Sequence, residues 1–370
     1  MAFEEYFACE QLTNYLQKKG YDVTVGVGGL PTAFSATYEQ GTNGVSIGLL
    51  CEYDAIEIGH ACGHHLQGPI MLLVAQAIRN SSITQPYKLV IYGTPAEEGP
   101  QGKYRMLENG CFKDIDAALM THASPYTTVD VKSLAGSTWE VEFTGVLAHE
   151  SLTPELSRSA TDAMVIAIQG IEFLRGHVKE DVKFYTTIND CKGVQGNKDP
   201  NIAKFNISIR TYHTEDIPSL EERVLNVVKG AAMMTGTTVN YKKVKVIDEK
   251  FPSLTLNQII MDNAKKLNAP NIIPFRKRTG STDFGRVTQM VPGAVSRFAL
   301  VPEGVTTHSK EFLAYGKSKE AYDGMIMGAK ILAYTVADLI TKPELMEKAK
   351  KEFKQRKNNK KKGGKNEKEI

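Results

Sequence analysis

The feature that most constrains this chain is a repeated alternation of short apolar runs and helical stretches in its first third. Residues 45–50, 89–92 and 117–120 are apolar runs bounded by Gly, Asp or Pro, and residues 66–80 and 102–109 between them have a helical pattern. Apolar strands that alternate with helices are typical of an α/β sheet covered on both faces. We therefore predict an α/β domain with a mixed sheet flanked by helices.

The pattern changes near Trp139, where residues 139–144 alternate as a half-buried strand does. After it the sequence predicts, in order, a helix at residues 160–177, strands at 183–189 and 205–212, a helix at 218–235 and a strand at 237–246. This β-α-β-β-α-β order is typical of ferredoxin-like α+β domains. We expect such a domain at residues 137–247, inserted between the two parts of the α/β domain at residues 1–136 and 248–341.

The net charge of +3 misrepresents the body of the chain, because residues 342–370 hold twelve Lys and Arg against five Glu. That segment carries +7, which leaves the other 341 residues at −4. The body therefore lacks a general basic surface for nucleic acid or an anionic membrane. We expect residues 342–370 to form a basic tail that is disordered past about residue 355, because it cannot bury enough apolar surface to offset its ordering entropy.

The sequence gives no indication of export or membrane insertion. No run of about 18 apolar residues occurs, and the first ten residues lack the basic and apolar regions of a secretory leader. The five cysteines are scattered and odd in number, which does not favour a disulfide framework. We expect a cytoplasmic protein with neither nucleic-acid nor membrane partners.

Four candidate metal ligands lie within six residues, in the segment His60-Ala-Cys62-Gly-His64-His65 directly after a predicted strand. Thiolate and imidazole groups are preferred by late first-row divalent metals, and the Gly allows an abrupt turn toward one ion. Any one of these His residues alone would more readily be explained by local hydrogen bonds. Their density favours a metal.

Adjacent carboxylates follow the next predicted strand, at Glu97 and Glu98. Neighbouring like charges raise each other's pKa unless a cation lies between them, which a metal would provide. One glutamate can then bind the metal while the other acts as general base. A pair of exposed loop carboxylates is the alternative.

Two further histidines are candidates. His122 follows the third apolar run, and His308 lies in the isolated segment Thr307-His308-Ser309. Three successive strands thus each end in a potential ligand, so that Cys62, His64, Glu98 and His122 could converge on one rim of the sheet. This set suits two metals better than one structural zinc.

These residues lie in segments that, together, resemble metallopeptidase family 20. The segments are GLLCEYDA, IGHACGHH, GTPAEEGPQGKYRMLENGCF, DAALMTHASP, TGVLAHES, GSTDFGRV and THSKEF, and they occur in the family's order from about residue 3 to 345. The chain is most similar to the amidohydrolase branch, which contains hippurate, indole-acetyl-amino-acid and aminobenzoyl-glutamate hydrolases and an Xaa-Arg dipeptidase.

The resemblance implies a catalytic domain that holds two divalent ions per subunit, zinc or manganese with cobalt as a further option, and a lid domain through which the chain forms a homodimer. The residues that match the family's metal ligands are Cys62, His64, Glu98, His122 and His308.

The resemblance assigns further roles by position. Glu97 matches the general acid/base, and Asp54 matches an aspartate that orients a ligating His. His149 matches a lid His that reaches across the dimer to the reacting carbonyl. Asn201 and Arg210 match a lid pair that binds the substrate carboxylate, although their spacing is shorter than the family's.

The implied activity is hydrolysis of the amide bond of an N-acyl amino acid, an aminobenzoyl-glutamate-like conjugate or a dipeptide. The family's mechanism uses a metal-bridging water, with Glu97 as general acid/base. Two alternatives remain: a non-catalytic metal-binding or assembly protein that retains the fold, and a nucleotide-binding protein suggested by Gly26, Gly28 and Gly29. The second lacks the full glycine spacing of a dinucleotide fingerprint.

Overall fold

A computed structural model describes residues 1–149, 152–192, 201–276 and 279–361 of the chain. The chain divides into two compact units. The larger unit comprises Met1–Lys132, Lys250–Thr279 and Asp283–Ile370, and the inserted unit comprises Ser133–Glu249 and Gly280–Thr282. Each unit has its own hydrophobic core.

The strands, in chain order, are β1 (Asp22–Val25), β2 (Phe34–Gln40), β3 (Val45–Cys51), β4 (Tyr87–Gly93), β5 (Ala117–Ser124), β6 (Thr128–Val129), β7 (Ala135–Thr144), β8 (Lys183–Lys192), β9 (Ile202–Thr211), β10 (Thr238–Ile247) and β11 (Gly293–Ala299). The helices are α1 (Tyr6–Lys18), α2 (Gln67–Arg79), α3 (Gly102–Glu108), α4 (Ala160–Leu174), α5 (Ile217–Thr235), α6 (Leu254–Lys266), α7 (Phe284–Thr288), α8 (Lys310–Tyr315), α9 (Lys319–Thr341) and α10 (Pro343–Lys361).

The larger unit is built on a mixed sheet of seven strands in the order β1-β2-β4-β3-β5-β11-β6. β3 lies parallel to both β4 and β5, and β11 lies parallel to β5, whereas β1, β2 and β6 pair antiparallel with their neighbours. The predicted fold class, a mixed sheet flanked by helices, is confirmed. Because β3, β4 and β5 run in one direction, the segments that follow them leave the same edge of the sheet.

Both faces of the central strands are covered. In β3, Ile47 and Leu49 belong to the core beneath α1, α2, α6 and α9, whereas Leu50 belongs to the opposite core, which includes Met106 of α3 and Phe284 of α7. This alternation follows from the two-residue period of a strand. It explains why these strands are continuous apolar runs in the sequence.

The helix α9 is, among the described residues, long and apolar enough to cross a membrane by length and composition alone. Half of its apolar window is buried inside the unit. Ile331, Leu332 and Val336 are fully buried and belong to the core that α2 and α6 share. Core helices commonly pass the same test of length and composition.

The helix α10 corrects the expectation of a disordered tail past about residue 355, because helical structure continues to residue 361. Met346 and Ala349 are fully buried in the core, and the guanidinium of Arg356 lies 4.5 Å above the centre of the Phe251 ring. Glu352 accepts hydrogen bonds from the first residues of α6. A few apolar and capping contacts thus hold a helix whose composition is otherwise polar. The rest of the predicted tail, residues 362–370, lies outside the described residues.

The inserted unit is a four-stranded antiparallel sheet in the order β10-β7-β9-β8, with α4 and α5 packed on it. Residues of β9 alternate between half-buried and buried along the whole strand, which begins three residues before the predicted strand at 205–212. Phe143, Phe205 and Val224 are fully buried between the sheet and the helices.

The glycines that suggested nucleotide binding have another role. Gly26, Gly28 and Gly29 form a short turn between β1 and β2, which pair antiparallel. A dinucleotide fingerprint requires a strand, a helix and a parallel strand at this position. The local structure therefore does not support the nucleotide-binding interpretation.

Candidate active site

The segment after β3 brings Cys62 and His64 to the edge of the sheet. Gly63 between them has φ = 82°, and a Cβ atom built there would lie 2.7 Å from the Cβ of Ala123. Only glycine fits this combination of a left-handed backbone and close packing. The turn places His64 in a buried position and leaves Cys62 partly accessible.

His122 lies within β5, because this strand continues two residues beyond His122, past the predicted apolar run. The extension follows from pairing with β11, in which His122 is opposite Arg297. The ring nitrogen Nδ1 of His122 donates to the carbonyl oxygen of Ala123 at 2.9 Å, which directs Nε2 toward Cys62 Sγ at 3.9 Å. Burial, followed by the charges of Arg297 and His64, lowers the pKa of His122 well below its ordinary value. The neutral imidazole is the form that binds metals.

Asp54 orients two candidate ligands at once. Its Oδ1 accepts a hydrogen bond from Nδ1 of His64 at 3.0 Å, and its Oδ2 accepts one from the backbone N–H of Glu98 at 2.8 Å. The first contact is the one that the orienting role implied for Asp54 by the family resemblance requires. The second ties the loop after β4 to the segment after β3, a link that the sequence did not indicate.

Glu98 and His308 complete the cluster. His308 Nε2 lies 3.2 Å from Glu98 Oε1 and 3.4 Å from Cys62 Sγ. The backbone N–H of His308 donates to the carbonyl oxygen of Ala61 at 2.9 Å, so this distant segment is fixed to the loop that carries Cys62. The structure therefore brings all five predicted ligands together.

The donor atoms fall into two groups of three that share Cys62. One group contains His64 and His122, and the other contains Glu98 and His308; within each group the donor atoms lie within 4.8 Å of one another. Among the described residues, the buried atoms Nε2 of His64 and Oε1 of Glu98 make no hydrogen bond, although they lie 3.3 Å from Glu52 Oε2 and 3.2 Å from His308 Nε2. Buried polar atoms that approach other potential ligands without forming a hydrogen bond suit ligation. The set of one thiol, three imidazoles and one carboxylate therefore fits a pair of divalent cations.

Glu97 belongs to a second cluster, of buried charges, beside the candidate ligands. Oxygen atoms of Glu52, Glu97 and Asp283 lie within 4.8 Å of one another. The fully buried Lys103 donates from Nζ to Glu52 Oε1 and to Asp283 Oδ1, each at 2.6 Å. Burial, together with the charges of Glu52 and Asp283, raises the pKa of Glu97 to about 8. A carboxyl group tuned in this direction is suited to general acid/base chemistry near neutral pH.

Lys103, Glu52 and Asp283 were not predicted as site residues. Lys103 is separated from its two partners by 51 and 180 residues in the chain. No local periodicity reports such a contact. The available signal is that Glu52, Lys103 and Asp283 all lie in segments that resemble the family, GLLCEYDA, GTPAEEGPQGKYRMLENGCF and GSTDFGRV.

The remaining predicted residues lie in the inserted unit. His149 is half-buried just after β7, and its Nδ1 makes no hydrogen bond to the described residues. Arg210 lies in β9 opposite Gly136, where a Cβ atom would approach the guanidinium Nη1 to 2.3 Å. That Nη1 atom is buried without a hydrogen bond among the described residues, so its N–H groups can donate to an anionic partner.

The predicted pairing of Asn201 with Arg210 needs correction. Asn201 immediately precedes β9, whereas Arg210 is at its other end. At a rise of 3.3 Å per residue, nine residues of strand separate the two by about 30 Å. Within one chain they therefore cannot bind the same carboxylate, because the intervening residues form a continuous strand.

Known proteins share sequence and fold with this chain. The sequence pattern of peptidase family M20/M25/M40 matches residues 48–337. The chain is 30% identical to a mouse Xaa-Arg dipeptidase, covering 96% of this chain and 86% of the relative. It is 27% identical to one of the subunits of p-aminobenzoyl-glutamate hydrolase from Escherichia coli K12, covering 95% of this chain and 89% of the relative. Its fold is similar to that of a dinuclear metal-binding M20 peptidase from Bacillus subtilis, with a TM-score of 0.69 at 17% identity over 92% of this chain and 94% of the other.

Proposed function

The chain belongs to peptidase family M20/M25/M40 and is a metallo-amidohydrolase; from that premise we propose that it releases an amino acid from an N-acyl amino acid, an aminobenzoyl-glutamate-like conjugate or a dipeptide. The observation that carries the proposal is the convergence of Cys62, His64, Glu98, His122 and His308 beside Glu97. The names of the relatives support an amide whose leaving group is an amino acid.

The proposed ligands would hold two divalent cations, zinc or manganese, in the two groups that share Cys62. When bound, such ions supply Lewis acidity and lower the pKa of water at the site. Asp54 holds His64 with Nδ1 protonated, which leaves the lone pair of Nε2 available to bind a cation. The same carboxylate also accepts a hydrogen bond from the Glu98 backbone N–H and so fixes Glu98 near His64.

Glu97 is proposed as the general acid/base. Its carboxyl group takes the proton of the attacking water and later passes it to the departing amine nitrogen. Its neighbours Glu52 and Asp283 both accept hydrogen bonds from the ammonium of Lys103, which offsets one of their two negative charges.

We propose that Arg210 binds the substrate carboxylate and that His149 acts at the scissile carbonyl of the partner subunit in a homodimer. The unpartnered Nη1 of Arg210 supports the first role. The second is supported by β8, which among the described residues is an edge strand that pairs with β9 alone, and on which Tyr185 and Ile188 expose 57% and 59% of their surface. A role for Asn201 in the substrate site and a cytoplasmic location stay predictions.

The test is turnover of an amide panel by the full chain after metal removal and restoration with zinc, manganese or cobalt. The panel contains N-acyl amino acids, p-aminobenzoyl-glutamate and Xaa-Arg dipeptides. Glu97→Gln should retain the metal content of the wild type and lose about 10²- to 10⁴-fold in kcat, because it removes the proton acceptor and no ligand.

Glu98→Gln is the matched control at the adjacent position, and it should lose metal as well as activity. Turnover of no panel member by the metal-restored wild type would refute the proposed function. Near-native kcat in Glu97→Gln would refute the roles assigned to the two glutamates.

A further inference from the structure

We propose that Glu5, near the start of the chain, is a positioning residue that holds the loop carrying Glu97 and Glu98 in its working conformation. The inference rests on the proposed function for the roles of those two glutamates. The contacts that support it do not depend on that function.

The carboxyl group of Glu5 is buried and makes three hydrogen bonds. Its Oε1 accepts from the backbone N–H groups of Ala96 at 3.1 Å and Phe3 at 3.0 Å. Its Oε2 accepts from the hydroxyl of Thr32 at 2.9 Å. Only 5% of Glu5 is exposed, so water cannot readily replace these bonds. The Ala96 amide, which immediately precedes Glu97, is thus anchored by a side chain 91 residues away.

The loop needs an anchor because its backbone is unusual. Ala96 has φ = 62° and Gln101 has φ = 65°, both in the left-handed region that residues with a Cβ rarely adopt. The N–H of Gln101 donates to the carbonyl oxygen of Ala96 at 2.9 Å, which closes the loop on itself. The strained residue Ala96 therefore determines the direction in which Glu97 and Glu98 leave the backbone, and Glu5 stabilises that residue from outside the loop.

The chain offers a matched control for a purely structural role. Glu352 also accepts hydrogen bonds from one hydroxyl, Ser253 Oγ at 3.1 Å, and from two backbone N–H groups, those of Leu254 and Thr255 at 2.8 Å. A fourth bond comes from Nη1 of Arg356 at 3.1 Å. These bonds hold the start of α6 and do not touch the catalytic loop. Glu352→Leu removes one hydroxyl bond and two backbone N–H bonds, as Glu5→Leu does, together with the bond from Arg356, so both variants should lower Tm and the control is no milder than the test.

The first measurement is steady-state kinetics on metal-loaded full-length protein, well below Tm, with the panel member that the wild type turns over fastest. Glu5→Leu should lose about 100-fold in kcat with little change in KM, because a small displacement of a catalytic group is costly. Glu352→Leu should keep the wild-type kcat. Glu5→Gln, which keeps an acceptor for the Ala96 amide, should stay within about tenfold of the wild type.

Two further variants keep the inference testable if Glu5→Leu does not fold. Thr32→Val is nearly isosteric and removes one bond to Glu5, so kcat should fall by about three- to tenfold. Ala96→Gly in the Glu5→Gln or Glu5→Leu background should restore part of the lost kcat, since glycine adopts a positive φ without help.

The second measurement is hydrogen exchange of the peptide that spans residues 94–101, which reports on the loop whether or not any amide is hydrolysed. Exchange should accelerate in Glu5→Leu and in Thr32→Val and stay unchanged in Glu352→Leu. Failure of the proposed function would leave this result intact. Unchanged exchange in the Glu5 and Thr32 variants, or equal losses of kcat in Glu5→Leu and Glu352→Leu, would overturn the inference.

Discussion

Replacing Lys103 by Met should strongly destabilise the larger unit, although the two side chains have similar volumes. The Lys103 ammonium is fully buried and makes two hydrogen bonds of 2.6 Å to carboxylates that are themselves 1% exposed or less. Because methionine fills nearly the same volume, the loss in free energy of unfolding comes from the unpaired charges and not from lost packing. Both Glu52 and Asp283 would be left buried without their cation.

The expected magnitude follows from this burial. Removing one partner of a buried ion pair costs about 3–5 kcal/mol, a large part of the roughly 5–15 kcal/mol by which a protein is stable. Lys319→Met is the control, because Lys319 pairs with Asp323 on the surface, where the side chains are 81% and 66% exposed. That pair is expected to contribute about 0.3–0.5 kcal/mol.

The pH dependence distinguishes lost charge neutralisation from a packing defect. In the wild type, burial alone would raise the pKa of Glu52, but Lys103 and His64 outweigh it and hold the pKa at about 2. Its ionised form therefore stabilises the wild type above the unfolded pKa of about 4.3. Without Lys103, burial should raise this pKa, so the variant is destabilised as pH rises. The difference between the two proteins should be largest at pH 7 and smaller at pH 4, where the carboxyl groups left without Lys103 are protonated in the variant.

Native-state hydrogen exchange of the amides of β3 and β5, measured on metal-free protein, gives the stability of the larger unit without requiring two-state unfolding of the whole chain. The comparison needs the wild type, Lys103→Met and Lys319→Met at pH 7 and pH 4. A cost at pH 7 no greater than that of Lys319→Met, or a cost that grows at pH 4, would refute the reasoning.

Three further predictions concern ligands, the partner subunit and acid stability. His64→Ala and His122→Ala should each lower metal content in elemental analysis and remove the rise in Tm that metal produces, because metal binds the folded state; wild-type occupancy would contradict both assignments. Mixing inactive His149→Ala with inactive Glu97→Gln should restore about a quarter of native activity, because about half of freely exchanged dimers are mixed and each mixed dimer has one complete site of two. If a tagged pull-down shows that subunits exchange but no activity returns, the cross-subunit role is excluded. Asp130→Asn should lower the free energy of unfolding by about 3–5 kcal/mol at pH 7, as measured by urea titration, and by less below pH 4. Burial alone would raise the pKa of Asp130, but adjacent cations hold it well below its usual range, so its contribution is lost only in acid; a pH-independent cost would contradict this.

The sequence determined those features that depend on neighbours along the chain. The period of the apolar residues predicted the mixed sheet and the β-α-β-β-α-β order of elements, since strands and helices bury different spacings of side chains. The clusters around Cys62 and Glu97 were visible because several chemically suited residues occur within a few positions. The parallel arrangement of successive strands then made their convergence predictable.

Local pattern was misleading where one contact decides the outcome. The apolar spacing of residues 4–19 predicts an amphipathic helix with Phe7, Leu12, Tyr15 and Leu16 on one face. Leu12 and Leu16 are buried, but Phe7 and Tyr15 are 76% and 38% exposed. The composition of the basic tail predicted disorder past about residue 355, but α10, which contacts α6 and the core, continues to residue 361.

Only the tertiary structure decided which distant residues share an environment. Lys103 meets Asp283 across 180 residues, His308 meets Cys62 across 246, and Glu5 meets Ala96 across 91. Conversely, Asn201 and Arg210 are close in sequence and are held apart by the extended strand between them. The physical reason is that periodicity reports which side of an element is buried, whereas the partner of a buried charge is set by how remote elements pack, and that packing leaves no repeat in the sequence.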